Sequence, residues 1–181
     1  MNSIENENLI LLKLCSLLLS YPTEDWITLT DWRDEIRQLT NPNNRNLLNG
    51  FLHYLDKNNL EQLCANYVET FDFSEKSSLH LTYHEYGNGR NRGQALVDLK
   101  NQYAKVGYHM MTDELPDYLP LMLEFCAEIG DSAIKNILYP QHSSIAKIHA
   151  ALTEGNNDYK PLLEVCLAAI NESLMPEEAN R

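Results

Sequence analysis

Two histidines in the middle of the chain have the spacing of a metal-binding pair. His80 and His84 are four residues apart, so on a helix they would share one face, and Glu85 follows directly. Imidazole and carboxylate groups in such a pattern are ligands for zinc or a similar metal ion. However, no glutamate follows His80 as in the zinc-protease motif, and the segment lacks a clear third ligand. Ordinary packing or partner contact is therefore favoured over a metal-dependent enzyme.

A glycine-rich segment, residues 87–93, precedes a predicted helix and could present amide groups to a phosphate. It lacks the lysine and hydroxyl residue of a phosphate-binding loop, and no predicted strand leads into it. We interpret the glycines as a turn, with weak nucleotide binding as the open alternative. No group of serine, cysteine or histidine residues has the pattern of a nucleophilic catalytic site. The sequence therefore predicts a protein that is not an enzyme and has no cofactor of its own.

Charged residues mark two helix starts. Arg90 and Arg92 lie where the helix dipole disfavours a positive charge by about 0.3 to 1 kcal/mol. Pairing with Glu85 or another acidic side chain would offset this cost, and a role in docking a partner is the second explanation. Asp117 is predicted to be the N-cap of the next helix, so Pro120 would fall in the first turn, where its missing N–H is harmless.

The composition limits the class of partner. With 181 residues, 44% of them hydrophobic, the chain can form one domain with a substantial core. Its formal charge of -12 disfavours binding to nucleic acid or to an anionic membrane surface. A basic or apolar partner is favoured instead. No targeting segment or membrane span is evident, so the sequence predicts a cytoplasmic protein without direct membrane insertion.

Four cysteines are widely spaced, and each lies within an apolar helical pattern. No two of them are close enough in sequence to form a zinc-binding pair. This pattern is typical of a reduced protein with buried free thiols. The cysteines are Cys15, Cys64, Cys126 and Cys166.

Apolar residues recur at three- and four-residue spacing along almost the whole chain, which predicts an all-α fold. We expect a single helical domain over residues 1–175 and a polar tail over 176–181. The first helix is predicted over residues 5–20, and Thr23 is predicted to cap the second. Turn residues at 41–44 and 58–59 delimit a third helix, and a fourth follows to residue 71.

The second half of the chain contains the unusual segment. An irregular region is predicted over residues 72–89, followed by a helix over 91–106 whose left-handed end is Gly107. A helix is predicted over 117–130. Two or three further helices complete the chain, one from about residue 140 and one over 161–174. The inward face of the helix over 91–106 is predicted to carry Leu96, Leu99, Tyr103 and Val106.

Two blocks in this half resemble a known family. Residues 92–99 and residues 114–120 are similar in order and spacing to the NarJ-type respiratory nitrate reductase assembly chaperones, within the wider TorD/DmsD group. The resemblance extends over residues 67–129 in residue types and over roughly the whole chain in helix pattern. It implies a TorD-like helical bundle. Tyr118 stands where the wider group often has a histidine, so a role specific to that histidine is not carried over.

The resemblance also implies a function. Such a chaperone binds the catalytic (alpha) subunit of respiratory nitrate reductase, including its N-terminal peptide, and supports molybdenum cofactor insertion and complex assembly. Proteins that deliver the molybdenum cofactor are further candidate partners, and a generic helical peptide-binding adaptor is the alternative function. The candidate client-binding residues are the aromatic and charged side chains around the two helix starts: Tyr67, Phe71, Tyr83, His84, Tyr86, Arg90, Arg92, Asp98, Glu114, Asp117 and Tyr118.

Overall fold

A computed structural model describes residues 3–28, 31–111 and 113–174. Within these ranges the regular structure is helical, which confirms the predicted all-α class. Extended backbone pairing in the same ranges is confined to one isolated antiparallel bridge, between His80 and Tyr118. The polar tail predicted over residues 176–181 lies outside the described residues, so the domain boundary at residue 175 stays a prediction.

The α-helices follow one another with short connections. Two π-helical turns, Val68–Asp72 and Ile134–Leu138, and one 3-10 turn, Tyr139–Gln141, lie between them. The α-helices are α1 (Ser3–Leu18), α2 (Asp25–Thr28), α3 (Asp31–Gln38), α4 (Pro42–Lys57), α5 (Leu60–Tyr67), α6 (Tyr83–Tyr86), α7 (Arg90–Lys105), α8 (Leu119–Ile129), α9 (Asp131–Ala133), α10 (His142–Glu154) and α11 (Lys160–Glu172).

Helix α1 lies at the centre of the bundle. It packs against α8 and α11, and α11 also packs against α4 and α10. These central helices are apolar on most sides, which is the pattern of helices buried by their neighbours. Cys15, Cys126 and Cys166 are fully buried on α1, α8 and α11, and burial raises the pKa of each thiol. Cys64 is half-buried, and all four thiols are free, as predicted.

A cluster of aromatic rings joins α4, α5, the first π-helical turn and the connection between α10 and α11. Tyr159 lies in its middle, with its ring centroid 4.9 Å from that of Phe71, 5.2 Å from Phe51 and 6.1 Å from Tyr67. The rings are tilted or edge-on, which is the arrangement that aromatic quadrupoles favour. The cluster therefore fixes the π-helical turn on the body of the bundle.

Polar caps set the limits of α4 and α5. The Asn41 side chain accepts hydrogen bonds from two amides in the first turn of α4, and Asn58 ends that helix. Asn59 then caps α5 in a reciprocal pair with Gln62, whose side chain accepts from the Asn59 amide. The predicted break at residues 58–59 is confirmed. The turn predicted at residues 41–44 is instead the N-cap and first turn of α4.

Several local predictions are wrong. Helix α2 begins at Asp25, so Thr23 lies one residue before the cap position, and its carbonyl accepts a turn hydrogen bond from the amide of Trp26. On α7, Leu99 and Tyr103 are buried as predicted, Leu96 is half-buried, and Val106 is exposed because the helix ends before it. Gly107 has a φ of +79°, which confirms the left-handed helix end.

Among the helices of residues 3–28, 31–111 and 113–174, none is both long enough and apolar enough to cross a bilayer.

Candidate functional site

The site is built around Asp117, which is completely buried. A short antiparallel contact holds the chain on either side of it. The amide of Leu81 donates to the Asp117 carbonyl at 3.0 Å, and the amide of Leu119 donates to the Leu79 carbonyl at 2.9 Å. Leu79 and Leu81 are both buried. The loop before α8 is therefore fixed against the segment before α6.

The Asp117 carboxylate accepts hydrogen bonds from that segment. His80 donates from Nδ1 to Oδ1 at 3.2 Å, and Thr82 donates to Oδ2 from its amide at 3.2 Å and from its hydroxyl. The guanidinium of Arg92 lies 3.5 Å from Oδ2 and also donates from Nε to the Thr82 hydroxyl oxygen at 3.2 Å. Because an ionised carboxylate only accepts, the contact requires the His80 proton on Nδ1.

Burial and the neighbouring groups shift the pKa of Asp117 in opposite directions. Burial raises the pKa of its carboxyl, but the hydrogen bonds from His80 and Thr82 and the positive charge of Arg92 outweigh burial and hold this pKa below its ordinary value of 3.8. Asp117 is therefore ionised at neutral pH. Its negative charge offsets the cost of placing Arg92 in the first turn of α7.

One prediction about these residues is wrong. Asp117 is not the N-cap of α8, because its side chain is committed to partners outside the helix, and Tyr118 holds the cap position. The predicted pairing of Arg92 with an acidic side chain is confirmed, and the partner is Asp117 because the antiparallel contact brings it beneath the start of α7. Pro120 does lie in the first turn of α8, as predicted.

Tyr118 ties this loop to the core. The Tyr67 hydroxyl donates to the carbonyl of Leu19 at 3.0 Å, so the Tyr118 hydroxyl is the donor in its 2.8 Å contact with Tyr67 Oη. The Tyr118 ring also lies 5.5 Å from the ring of His80. Burial raises the pKa of both phenols, so both are neutral. Tyr118 thus holds the loop by a neutral hydrogen bond and ring packing.

A surface cavity of about 230 Å³, here called the Arg92 pocket, lies over this network. The Arg92 guanidinium lies 5.8 Å from the centre of the Tyr83 ring, within reach of a cation–π contact. Glu75 hydrogen-bonds the Tyr83 hydroxyl and raises its pKa. Phe73, which is 84% exposed, stands in the segment that borders the pocket. The residues that line the pocket include Phe71, Asp72, Glu75, His80, Tyr83 and Arg92.

The structure divides the predicted client-binding residues into groups. Phe71, Tyr83 and Arg92 line the pocket, whereas the other members of the network lie behind it. The network behind the pocket consists of Tyr67, Thr82, Asp117 and Tyr118, and His80 joins this network to the pocket wall.

The remaining predicted residues do not line the pocket. His84 is half-buried, and its Nε2 donates to the Ser78 carbonyl at 2.7 Å. Tyr86 is exposed. The hydrogen bond with Glu85, burial and the negative charges of Glu85 and Asp98 raise its pKa, so Asp98 is a neighbour of Tyr86. The last two residues, Arg90 at the start of α7 and Glu114 in the loop before α8, are exposed.

The metal-site hypothesis is not supported by the positions of its residues. His80 and His84 do not share a helix face, because His80 lies in the extended bridge before the short helix α6 that contains His84. Their rings contact Asp117 and the Ser78 carbonyl, respectively. In the part of the chain that the structure describes, no group of three or more histidine, cysteine or acidic residues is placed to hold a metal ion.

Gly87 and Gly89 lie in a turn, as predicted, whereas Gly93 lies within α7. The amide of Gly87 donates to the Tyr83 carbonyl at 2.8 Å, and the amide of Gly89 donates to the Tyr86 carbonyl at 3.0 Å. These amides are used within the turn and are not directed at a phosphate.

Sequence reasoning did not assign Thr82, Asp72, Glu75 or Phe73 to the site. A signal for Thr82 was present, because polar and apolar residues alternate over 78–82, which is typical of extended backbone with one buried side. No comparable local pattern marks Asp72 and Glu75. Asp72 is the last residue of the first π-helical turn, and Glu75 lies in the irregular loop that follows it.

Comparison with known proteins connects this site to a family. Residues 38–174 match the family model for the nitrate reductase delta subunit. The chain is 38% identical over 159 residues to the probable nitrate reductase molybdenum cofactor assembly chaperone NarJ of Bacillus subtilis, covering 86% of this chain and 85% of that relative. It is 32% identical over 172 residues to the probable chaperone NarW of Escherichia coli, covering 94% and 72%.

A shorter match has the same description. The chain is 36% identical over 110 residues to the Escherichia coli nitrate reductase molybdenum cofactor assembly chaperone NarJ, covering 61% of this chain and 47% of that relative. The resemblance inferred from residues 92–99 and 114–120 is thereby confirmed. With its family model matched over most of its length, this chain belongs to the nitrate reductase delta subunit family.

Proposed function

We propose that this protein is an assembly chaperone that binds the catalytic subunit of a respiratory nitrate reductase and supports insertion of the molybdenum cofactor. The observation that carries the proposal is the family match over residues 38–174, together with relatives that are named as such chaperones. It acts by binding and not by catalysis, and it is absent from the finished enzyme.

The Arg92 pocket is the proposed client site. It combines an apolar wall, Phe71, with the charged groups of Arg92 and Glu75, and the exposed ring of Phe73 stands at its border. The buried Asp117 network holds these groups in place before a client arrives. A preorganised site loses less conformational entropy on binding, so it can hold a flexible segment with a small contact area.

The proposed ligand at this pocket is the N-terminal segment of the catalytic subunit. An amphipathic segment would place an apolar side chain against Phe71 and Phe73, and its basic residues would be attracted by a chain of formal charge -12. Ordering a flexible segment costs about 2 to 5 kcal/mol, which keeps the complex reversible. The proposed location is the cytoplasm, and proteins that deliver the molybdenum cofactor are proposed as transient partners.

Calorimetry with a synthetic N-terminal peptide tests this site. Phe73→Ser removes an exposed ring without disturbing the core, and we expect it to weaken peptide binding about 5- to 30-fold, the loss of one apolar anchor. Met111→Ser is the matched control, because Met111 is 96% exposed and does not line the pocket. Equal affinities for the wild type and Phe73→Ser would place the peptide elsewhere.

The alternative function, a generic helical peptide-binding adaptor, predicts a different pattern. Such an adaptor would bind unrelated amphipathic peptides of the same charge as tightly as the nitrate reductase peptide. A scrambled peptide with the same composition separates the two functions, because only the adaptor would retain its affinity for it.

A further inference from the structure

Asn88 lines the Arg92 pocket and is followed directly by Gly89. In an asparagine that precedes glycine, the next backbone nitrogen reaches the side-chain amide most easily, because glycine has no Cβ to hinder the approach. Asn88 is exposed and lies in the turn between α6 and α7. The wall of the pocket therefore contains an asparagine whose sequence and position favour intramolecular deamidation.

The turn itself requires the glycines on both sides of Asn88. A Cβ at position 89 would lie 2.8 Å from the Tyr86 carbonyl oxygen, which is closer than such atoms approach each other in proteins. Gly87 has a φ of +54°, in the region that L side chains rarely adopt. The susceptible Asn-Gly pair is therefore a consequence of the backbone path that leads into α7.

A second Asn-Gly pair in the chain provides an internal reference. Asn49 and Gly50 lie within α4, where the hydrogen bonds of a 16-residue helix hold the backbone. Ring closure requires the glycine nitrogen to turn toward the asparagine side chain, and a helix interior opposes this rotation. The Gly89 amide is held only by the turn, through its 3.0 Å hydrogen bond to the Tyr86 carbonyl. An exposed turn opens at a lower free energy than the middle of a packed helix.

We propose that Asn88 is a site of non-enzymatic covalent modification, at which a side-chain amide of the Arg92 pocket becomes a carboxylate. The Gly89 nitrogen gives its proton to solvent and attacks Cγ of Asn88. The N–Cγ bond forms, the Cγ–Nδ2 bond breaks, and the leaving nitrogen takes a proton from water and departs as ammonia. Water then opens the succinimide ring, at Cγ to give aspartate or at the main-chain carbonyl carbon to give isoaspartate. Either product is asparagine plus water minus ammonia.

The new carboxylate changes the charge of the pocket. In the described part of the chain, the charged residues that line the pocket are Asp72, Glu75 and Arg92, a net charge of -1 with histidine counted as neutral, and a carboxylate at position 88 makes it -2. This charge precedes the N-terminus of α7, where the helix dipole favours it, so the fold should be retained. The consequence for binding rests on the proposed function: the modified pocket should attract a basic client segment more strongly.

Incubation of the purified protein at mildly alkaline pH, where a backbone amide loses its proton more readily, tests the modification site. Peptide mapping by mass spectrometry resolves the two pairs, and a deamidated peptide is heavier by the difference between a hydroxyl and an amino group. We expect Asn88 to react at least about 10-fold faster than Asn49 in the folded protein, and the two rates to converge in urea. An Asn88 that stays unmodified, or reacts no faster than Asn49, would overturn the proposal.

Two substitutions at position 88 separate the modification from its consequence. Asn88→Gln lengthens the side chain, so ring closure is slower, and this variant should stay unmodified with its fold intact. Asn88→Asp carries the product charge from the start and should bind the client peptide about two- to five-fold more tightly at low salt. Asn49→Asp is the matched control, because Asn49 is exposed and does not line the pocket.

The outcomes for the modification and for the client can be told apart. Equal strengthening by Asn49→Asp, or none by Asn88→Asp, would contradict the effect on binding, while faster deamidation of Asn88 would still support the modification site. Failure of the peptide to bind any form of the protein counts against the proposed function alone, because the mass-spectrometric measurement uses no client.

Discussion

Asp117 shows how burial determines what one carboxylate can do. Its partners are 35 and 37 positions away in sequence, at Thr82 and His80, and the residue itself has no exposed surface. A carboxylate in that position cannot contact a client directly. It acts by holding Arg92 and the loop before α8, so its contribution to binding is positional.

Asp117→Asn should therefore destabilise the protein. The substitution removes the charge beside Arg92 and turns an NH2 group toward the donors of Thr82 or His80, so we expect a loss of about 2 to 4 kcal/mol in the free energy of unfolding. Urea denaturation measures it. Asp98→Asn is the control, because Asp98 is exposed and should change stability by less than about 0.5 kcal/mol. An N-cap role would instead leave Asp117→Asn as stable as the wild type.

The pKa of His84 predicts a pH dependence of stability. Burial lowers this pKa below its ordinary value of 6.5, even though the hydrogen bond to the Ser78 carbonyl acts in the opposite direction. The unfolded chain then binds the proton more readily than the folded one, so the contribution of His84 is complete above about pH 6.5 and is lost as the pH falls through the folded pKa. Unfolding free energies from about pH 5 to pH 8 should rise with pH, and less steeply in His84→Gln. Identical slopes would contradict this account.

At the scale of elements, local rules predicted most of the helices. Asn41, Asn58 and Asn59 act on neighbours within three residues, so their caps can be recognised from sequence. The network of His80, Asp117 and the π-helical turn beside it could not be predicted, because it depends on which distant segments the bundle brings together. The sequence thus indicated the segments that surround the pocket, whereas the contacts between their residues required the structure, and client binding there stays a prediction.

Two glycines provide a matched test of backbone requirements. Gly130 ends α8 with a φ of +87°, so Gly130→Ala should destabilise the protein by about 1 to 2 kcal/mol. Gly93 lies within α7, and a Cβ there would meet nothing within 4 Å, so Gly93→Ala should stabilise by about 0.5 to 1 kcal/mol. Thermal unfolding compares both variants with the wild type. Destabilisation by Gly93→Ala would show that this glycine has a role the backbone does not reveal.

At the scale of the whole molecule, the net negative charge favours a basic partner. The chain has a formal charge of -12, and two adjoining cavities, the Arg92 pocket and a larger one that shares Ser74 with it, lie in the part of the bundle that the structure describes. Long-range attraction of a basic segment is screened by salt, with a Debye length of about 8 Å at physiological ionic strength. Peptide affinity should therefore fall between about 50 and 500 mM salt, mainly through the association rate. An affinity that does not change with salt would mean that apolar contact alone drives binding.

We propose that this protein recognises an immature enzyme. Its binding to the nitrate reductase catalytic subunit can be measured in two states: purified from cells unable to make the molybdenum cofactor, and loaded with cofactor in the assembled complex. We expect a stable complex with the first and at least about 100-fold weaker binding to the second, a difference of roughly 2.7 kcal/mol. Equal affinity for both forms, or binding to the assembled enzyme alone, would contradict it.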